Sequence, residues 1–150
     1  GVTKTPSAVS VAEPGGPVTF RVVVENLSAE AVTLTSLADD VFGNLLDRGN
    51  PALSGNTCPA QLSFIPPAGS LACSFTAFVA GDAGAVAHRD TVTARVVDDE
   101  GNPASAAASA VVGFTDLLPS VSVSKTPSAG SVPEPGDRVT FAIVVSNTSV

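Results

Sequence analysis

Residues 2–29 read VTKTPSAVSVAEPGGPVTFRVVVENLSA, and residues 123–150 read VSKTPSAGSVPEPGDRVTFAIVVSNTSV. Aligned without a gap at an offset of 121, 18 of the 28 positions are identical. The match runs through turns as well as strands: Lys4 aligns with Lys125, Glu13-Pro14-Gly15 with Glu134-Pro135-Gly136, Phe20 with Phe141 and Asn26 with Asn147. Two similar strands inside one domain would not share their turn residues, so the chain holds one period of a tandem array and the opening of another. A period of this size is too long for a solenoid unit and suits a self-sufficient domain. The expected organisation is a complete repeat over 1–117, a linker over 118–122, and the first strands of the next repeat over 123–150.

Within the period, Val18, Phe20, Val22 and Val24 alternate with Thr19, Arg21, Val23 and Glu25, the pattern of a half-buried strand. Val139, Phe141, Ile143 and Val145 repeat that face in the second copy. Upstream, Val2–Thr5 and Val9–Val11 form a first strand broken at Pro6, as expected of a sandwich edge. Further strands are expected from Val32 to about Asp39-Asp40, over Leu62–Ile65, along Leu71, Cys73, Phe75, Ala77 and Val79, along Val92, Ala94 and Val96, and from Ala106 to Phe114. No segment has the period of an amphipathic helix. About seven strands separated by Gly/Pro turns point to an all-β Greek-key β-sandwich.

Composition agrees. Charged residues make up 14% of the chain, Trp, Tyr and Met are absent, and 13 Gly and 12 Pro punctuate Val-, Ala-, Ser- and Thr-rich strands. The net charge of -7 opposes binding to a phosphate backbone or an anionic membrane surface. The apolar runs are too short to span a bilayer. The opening Gly1-Val2-Thr3-Lys4, without an initiator Met or a leader, reads as the product of processing or a piece of something longer. An even pair of cysteines, Cys58 and Cys73, in a chain of this composition is expected to form a disulfide in an oxidising compartment.

One pattern runs across nearly the whole period: Val-Ser-Lys-Thr-Pro-Ser, then Pro-Glu-Pro-Gly, then Val-Thr-Phe and a strand ending in Asn. It is followed by Leu37-Ala38-Asp39-Asp40, the Cys58/Cys73 pair, Pro67-Ala68-Gly69-Ser70 and Asp90-Thr91-Val92-Thr93-Ala94. In these features the chain resembles the immunoglobulin-like (Ig-like) conserved repeat domains of large bacterial and archaeal extracellular surface proteins. The resemblance implies an Ig-like sandwich in tandem array, a prokaryotic extracellular or cell-surface location, and a role as spacer, stalk or adhesive fibre without catalytic residues. The chain departs from the common pattern in a long insert over 43–60.

Candidate sites are few. His88 is the only imidazole and reads as a solvated loop residue, with no second catalytic group near it, so no enzyme is expected. Asp98, Asp99, Glu100 and Asn102 form the better of two oxygen-rich groups that calcium would require; the other is Asp39, Asp40 and Asp47. Neither has the spacing of a calcium loop, so the expectation is a polar hairpin turn, a solvated strand end and no bound cofactor. Some surface Ig-like domains join Lys to Asn or Asp through an amide. Lys4 is the one lysine of the complete repeat, but no buried acceptor is legible, and Lys4 reads as a packed stem with a snorkelling ammonium. Asn26-Leu27-Ser28 and Asn147-Thr148-Ser149 fit the N-glycosylation pattern, yet the Asn reads better as a strand-ending turn residue.

The expected function is a structural module of an extracellular fibre, stalk or surface protein. Its partners would be neighbouring copies of the same repeat, covalent or strand-donating, met through Val139, Phe141, Ile143 and Val145. The alternative is an adhesive or carbohydrate-binding domain using the 43–60 insert, although no Tyr or Trp is present to stack on a sugar.

Overall fold

The computed structural model describes residues 1–149; Val150, the last residue of the second copy, lies outside them. The chain divides into two compact units, one over Gly1–Asp116 and one from Leu117 onward. Every regular element among the described residues is a strand, and no helix is long and apolar enough to cross a membrane.

The first unit is a sandwich of two sheets. One contains β1 (Val2–Pro6), β3 (Gly15–Glu25) and β7 (Ser70–Ala80), in the order β1-β3-β7. The other runs β2-β9-β8-β4-β5, with β2 (Ser10–Ala12), β9 (Pro103–Thr115), β8 (His88–Val97), β4 (Val32–Asp39) and β5 (Gly43–Asn44). A short β6 (Ser63–Ile65) also pairs with β4. Nine strands therefore replace the expected seven. The broken first strand is two strands: the chain leaves one sheet after Pro6, which has no N–H to continue a ladder, and joins the other as β2, parallel to β9. The other addition, β5, is a two-residue pairing at the start of the insert.

Inward-facing residues follow the period-2 pattern. Val18, Phe20, Val22 and Val24 of β3 and Cys73, Phe75, Ala77 and Val79 of β7 line one wall of the core. Leu34 and Leu37 of β4, Val92 and Ala94 of β8, and Ala110 and Val112 of β9 line the other. In β4 the pairing with β8 slips between Leu34 and Ser36. That bulge inserts one residue and reverses the parity of the strand, so Leu34, Leu37 and Asp39 all face inward.

The 43–60 insert is part of the sandwich. It sends Leu45, fully buried, into the core. Asn50 Nδ2 donates to the carbonyls of Phe42 and Asn44, and Asn56 Nδ2 donates to that of Leu45. Ser54 bridges to Thr76, and the Thr57 N–H donates to the Ser74 carbonyl. Both partners lie on the edge of β7, so the insert covers a row of backbone groups that would otherwise invite another strand. Cys58 and Cys73 form a disulfide that fastens the insert to β7.

The second unit repeats the start of the first. β10 (Val121–Pro127) and β11 (Phe141–Asn147) pair antiparallel with Val123 opposite Val145 and Lys125 opposite Ile143. Val2 opposite Val24 and Lys4 opposite Val22 give the same register at the same offset. The closing contacts recur: the Ser7 N–H donates to the Thr19 carbonyl and the Ser128 N–H to the Thr140 carbonyl, both at 2.7 Å. The equivalents of the buried Phe20, Val22 and Val24, namely Phe141, Ile143 and Val145, are 47%, 62% and 66% exposed.

The bridge encloses a short stretch, with a sequence separation of 15. Replacing both cysteines with alanine is expected to lower unfolding free energy by about 3 kcal/mol in urea titration. An unchanged midpoint would show that the hydrogen bonds of the insert hold it without the bridge.

Candidate functional site

The inward parity of three strands brings ionisable groups into the core. Lys4 sits on β1, which otherwise carries small and β-branched residues, and faces the opposite sheet. Asp39 ends β4, turned inward by the bulge. Asp90 continues inward the alternation of Ala94 and Val92 along β8. Lys4 Nζ donates to Asp39 Oδ2 at 2.5 Å and lies 2.5 Å from Asp90 Oδ2, and all three side chains are sealed from solvent. Three phenylalanines surround the ammonium: Nζ is 4.4 Å from the Phe20 centroid, 5.5 Å from that of Phe75 and 5.7 Å from that of Phe42. The rings pack on one another at 5.3–5.9 Å. The cation thus gains aromatic faces and two carboxylates in place of water.

The two carboxylates differ in their surroundings. Asp39 Oδ1 accepts the backbone N–H groups of Val41 and Phe42 at 3.0 and 3.1 Å. Asp90 accepts no backbone hydrogen bond among the described residues. Beyond its ion pair with Lys4, Asp90 Oδ2 has His88 Nε2 at 3.5 Å. His88 itself opens β8 and packs against Phe42, with ring centroids 5.5 Å apart.

Three sequence expectations are corrected. Lys4 does not snorkel: its ammonium is buried, because Lys4 is the inward-facing residue of β1 and meets Asp39 and Asp90 of the opposite sheet. Asp39 is not a solvated strand end, because the bulge reverses its facing; its neighbour Asp40 is exposed and accepts the Thr91 N–H. His88 is not a solvated loop residue but a half-buried strand residue against Phe42. Asp90 was missed as a candidate, although the alternation of Val92, Ala94 and Val96, extended back by two positions, marks it as inward-facing.

The other candidates are placed as follows. Asp98 clasps its own turn, with Oδ1 accepting the Asn102 N–H and Oδ2 the Asn102 side-chain amide. The Asn102 side chain, followed by backbone N–H groups, holds the Asp98 carboxyl below its usual range. Asp99 and Glu100 meet Glu30 instead, with one oxygen of each within 4.8 Å of the others, all exposed. A hydrogen bond with Asp99, then the charges of Asp99 and Glu30, hold the Glu100 carboxyl above its usual range. Asp47 turns the insert by accepting the Gly49 N–H.

Asn26 is buried. Its amide nitrogen donates to the carbonyls of Glu30, Ile65 and Pro66, and its Oδ1 accepts from the Ser28 N–H and hydroxyl. That bonding leaves no amide hydrogen for a glycan link. At the Gly1 end of the sandwich, a cleft of about 200 Å³ is lined by Val2, Val24, Val32, Ile65, Ala94 and Val96 together with small and polar residues, with no aromatic among them.

No family model matches the chain. No curated protein matches it either. Among solved structures, the chain is similar to self-complemented MyfA, the major subunit of Myf fimbriae from Yersinia enterocolitica, in two crystal structures, one of them a complex with galactose. Identity is 16% in both, the TM-scores are 0.32 and 0.31, and the matches cover 75% of this chain and 97% of that one. Similarity at this level assigns no function to the chain.

The Lys4→Ala variant would leave two buried carboxylates facing each other without a counter-charge. Its expected loss is about 3–5 kcal/mol of unfolding free energy. The same change at Lys125, whose ammonium sits 4.2 Å from the Phe141 centroid on an exposed hairpin, is expected to stay within about 0.5 kcal/mol of the parent. Urea unfolding of the two variants side by side checks both values; equal effects would contradict the structural role of the buried centre.

Proposed function

We propose that the chain is a structural Ig-like module of a prokaryotic extracellular fibre, stalk or surface protein, whose repeats follow one another in a linear head-to-tail array. The observation that carries this reading is the second hairpin. β10 and β11 repeat the pairing of β1 with β3 in the same register at an offset of 121, with Phe141, Ile143 and Val145 exposed where their counterparts form a core. A hairpin with that apolar face needs a partner sheet, and the tandem sequence indicates which one: strands equivalent to β4, β8 and β9 of a further repeat, with an equivalent of β7 extending the hairpin's own sheet. Val139, Phe141, Ile143 and Val145 are then the core seat of the next module.

The first unit also favours covalent succession over strand donation. Its last strand, β9, is supplied by its own chain and is paired on both sides, by β8 and β2. The β7 edge is covered by the insert. No gap between neighbouring strands waits for a donated one. The disulfide fits an oxidising, extracellular setting. The one buried cluster of ionisable side chains among the described residues is sealed from solvent, which favours a mechanical role over enzymatic turnover.

Electron microscopy of the native assembly tests this reading. Linear particles beaded at one sandwich per 121-residue period are expected. Isolated globules would contradict it.

A further inference from the structure

The buried centre holds every group that an amide-forming reaction between its own side chains needs, and it is closed to any other substrate. We propose that Lys4 Nζ and Asp39 Cγ become joined by an intramolecular amide bond, with Asp90 as the proton carrier. The bond would link β1 of one sheet to β4 of the other.

Geometry selects the nucleophile and the acceptor. Lys4 Nζ stands 2.5 Å from Asp39 Oδ2, inside the roughly 2.7–2.9 Å of an ordinary ammonium–carboxylate hydrogen bond. Asp39 is the acceptor because its other oxygen already lies in a pair of backbone donors. The N–H groups of Val41 and Phe42 hold Oδ1, where negative charge develops when an amine adds to Cγ. Asp90 has no such donors, so addition at its carbon would leave an oxyanion without a partner. What Asp90 offers is an oxygen 2.5 Å from the same Nζ, placed to accept a proton from it and return one to the leaving oxygen.

The step balances without an outside reactant. Asp90 takes a proton from the Lys4 ammonium and passes it to Asp39 Oδ2. The amine lone pair then adds to Cγ, and the C=Oδ1 electron pair moves onto Oδ1. Re-formation of that double bond breaks the Cγ–Oδ2 bond. Oδ2 leaves as water with a second proton that Asp90 carries from the same nitrogen. Of the three ammonium protons, one stays on the amide and two depart with the water. Asp90 ends as a carboxylate, and the net charge of the site is unchanged.

Two physical terms favour the product. Fixed juxtaposition of the reacting atoms replaces an encounter in solution, an advantage equivalent to effective concentrations of about 10⁵–10⁸ M. Amide formation also removes one ammonium and one carboxylate from a site where charges are expensive to hold.

Lys125 is the internal control. It occupies the same place on the repeated hairpin, over Phe141 as Lys4 is over Phe20, and forms no ion pair among the described residues. The test is the intact mass of the purified full chain after denaturation, reduction and alkylation, followed by fragmentation of cross-linked peptides. The parent and the Lys125→Ala variant are expected to be lighter than their sequence masses by one water, with a cross-link between Lys4 and Asp39. Lys4→Ala, Asp39→Ala and Asp90→Ala are expected at full sequence mass. A parent chain at full mass would overturn the proposal, and that measurement does not depend on any variant folding. A cross-link to Asp90 would overturn the choice of acceptor, and an Asp90→Ala chain that still loses water would overturn the proton carrier. None of these results bears on whether the repeats form a linear array.

Discussion

An ammonium and two carboxylates share a volume from which water is excluded, between two sheets that meet each other elsewhere through Val, Leu, Ala and Phe. Such a centre is costly to assemble. Desolvating each ion costs several kcal/mol, and only close mutual contact offsets it. The rest of the first unit follows this constraint. β1 must lie where its lysine can cross the core, β4 must reverse its parity to turn Asp39 inward, and β8 must give an inward position to Asp90. Three phenylalanines from β3, β7 and the segment after β4 fill the space around the cation. The same three side chains specify which strands face which, because a slip of one residue in any of them would bury an unpaired charge.

This arrangement also suits a load-bearing module. β1 is the first strand of the unit and β9 the last, so in the proposed array tension would pull on these two strands first. Backbone ladders at a sheet edge give way one pair at a time, whereas a tie between β1 and the opposite sheet must fail as a unit. The disulfide does similar work for the insert, which it fastens to β7. Two strand edges are covered by the chain itself: the insert lies along β7, and β2 pairs with the outer side of β9.

Much of this was legible in the sequence. The offset between Val2–Ala29 and its second copy gave the organisation, and period-2 alternation located β3, β7, β8 and β9 with their inward faces. What escaped was set by pairing rather than by pattern. The bulge between Leu34 and Ser36 shows only in the register against β8, and without it Asp39 counts as outward. Pro6 signalled a break in the first strand but not that its two halves belong to different sheets. The insert carries no alternation, since its order comes from side-chain amides of Asn50 and Asn56 bonding local carbonyls. The lysine was visible as the one cation of its kind in the repeat, but its partners lie 35 and 86 positions away in sequence, at Asp39 and Asp90.

The claim that a covalently tied sandwich is the working unit is tested most directly by pulling. In single-molecule force spectroscopy of the Gly1–Asp116 unit held by its two ends, the account predicts a contour-length gain on unfolding that is short by two segments. One is the chain between Lys4 and Asp39, the other the chain between Cys58 and Cys73. Under reducing conditions only the first shortfall should remain. Release of the whole chain length after reduction would contradict the account.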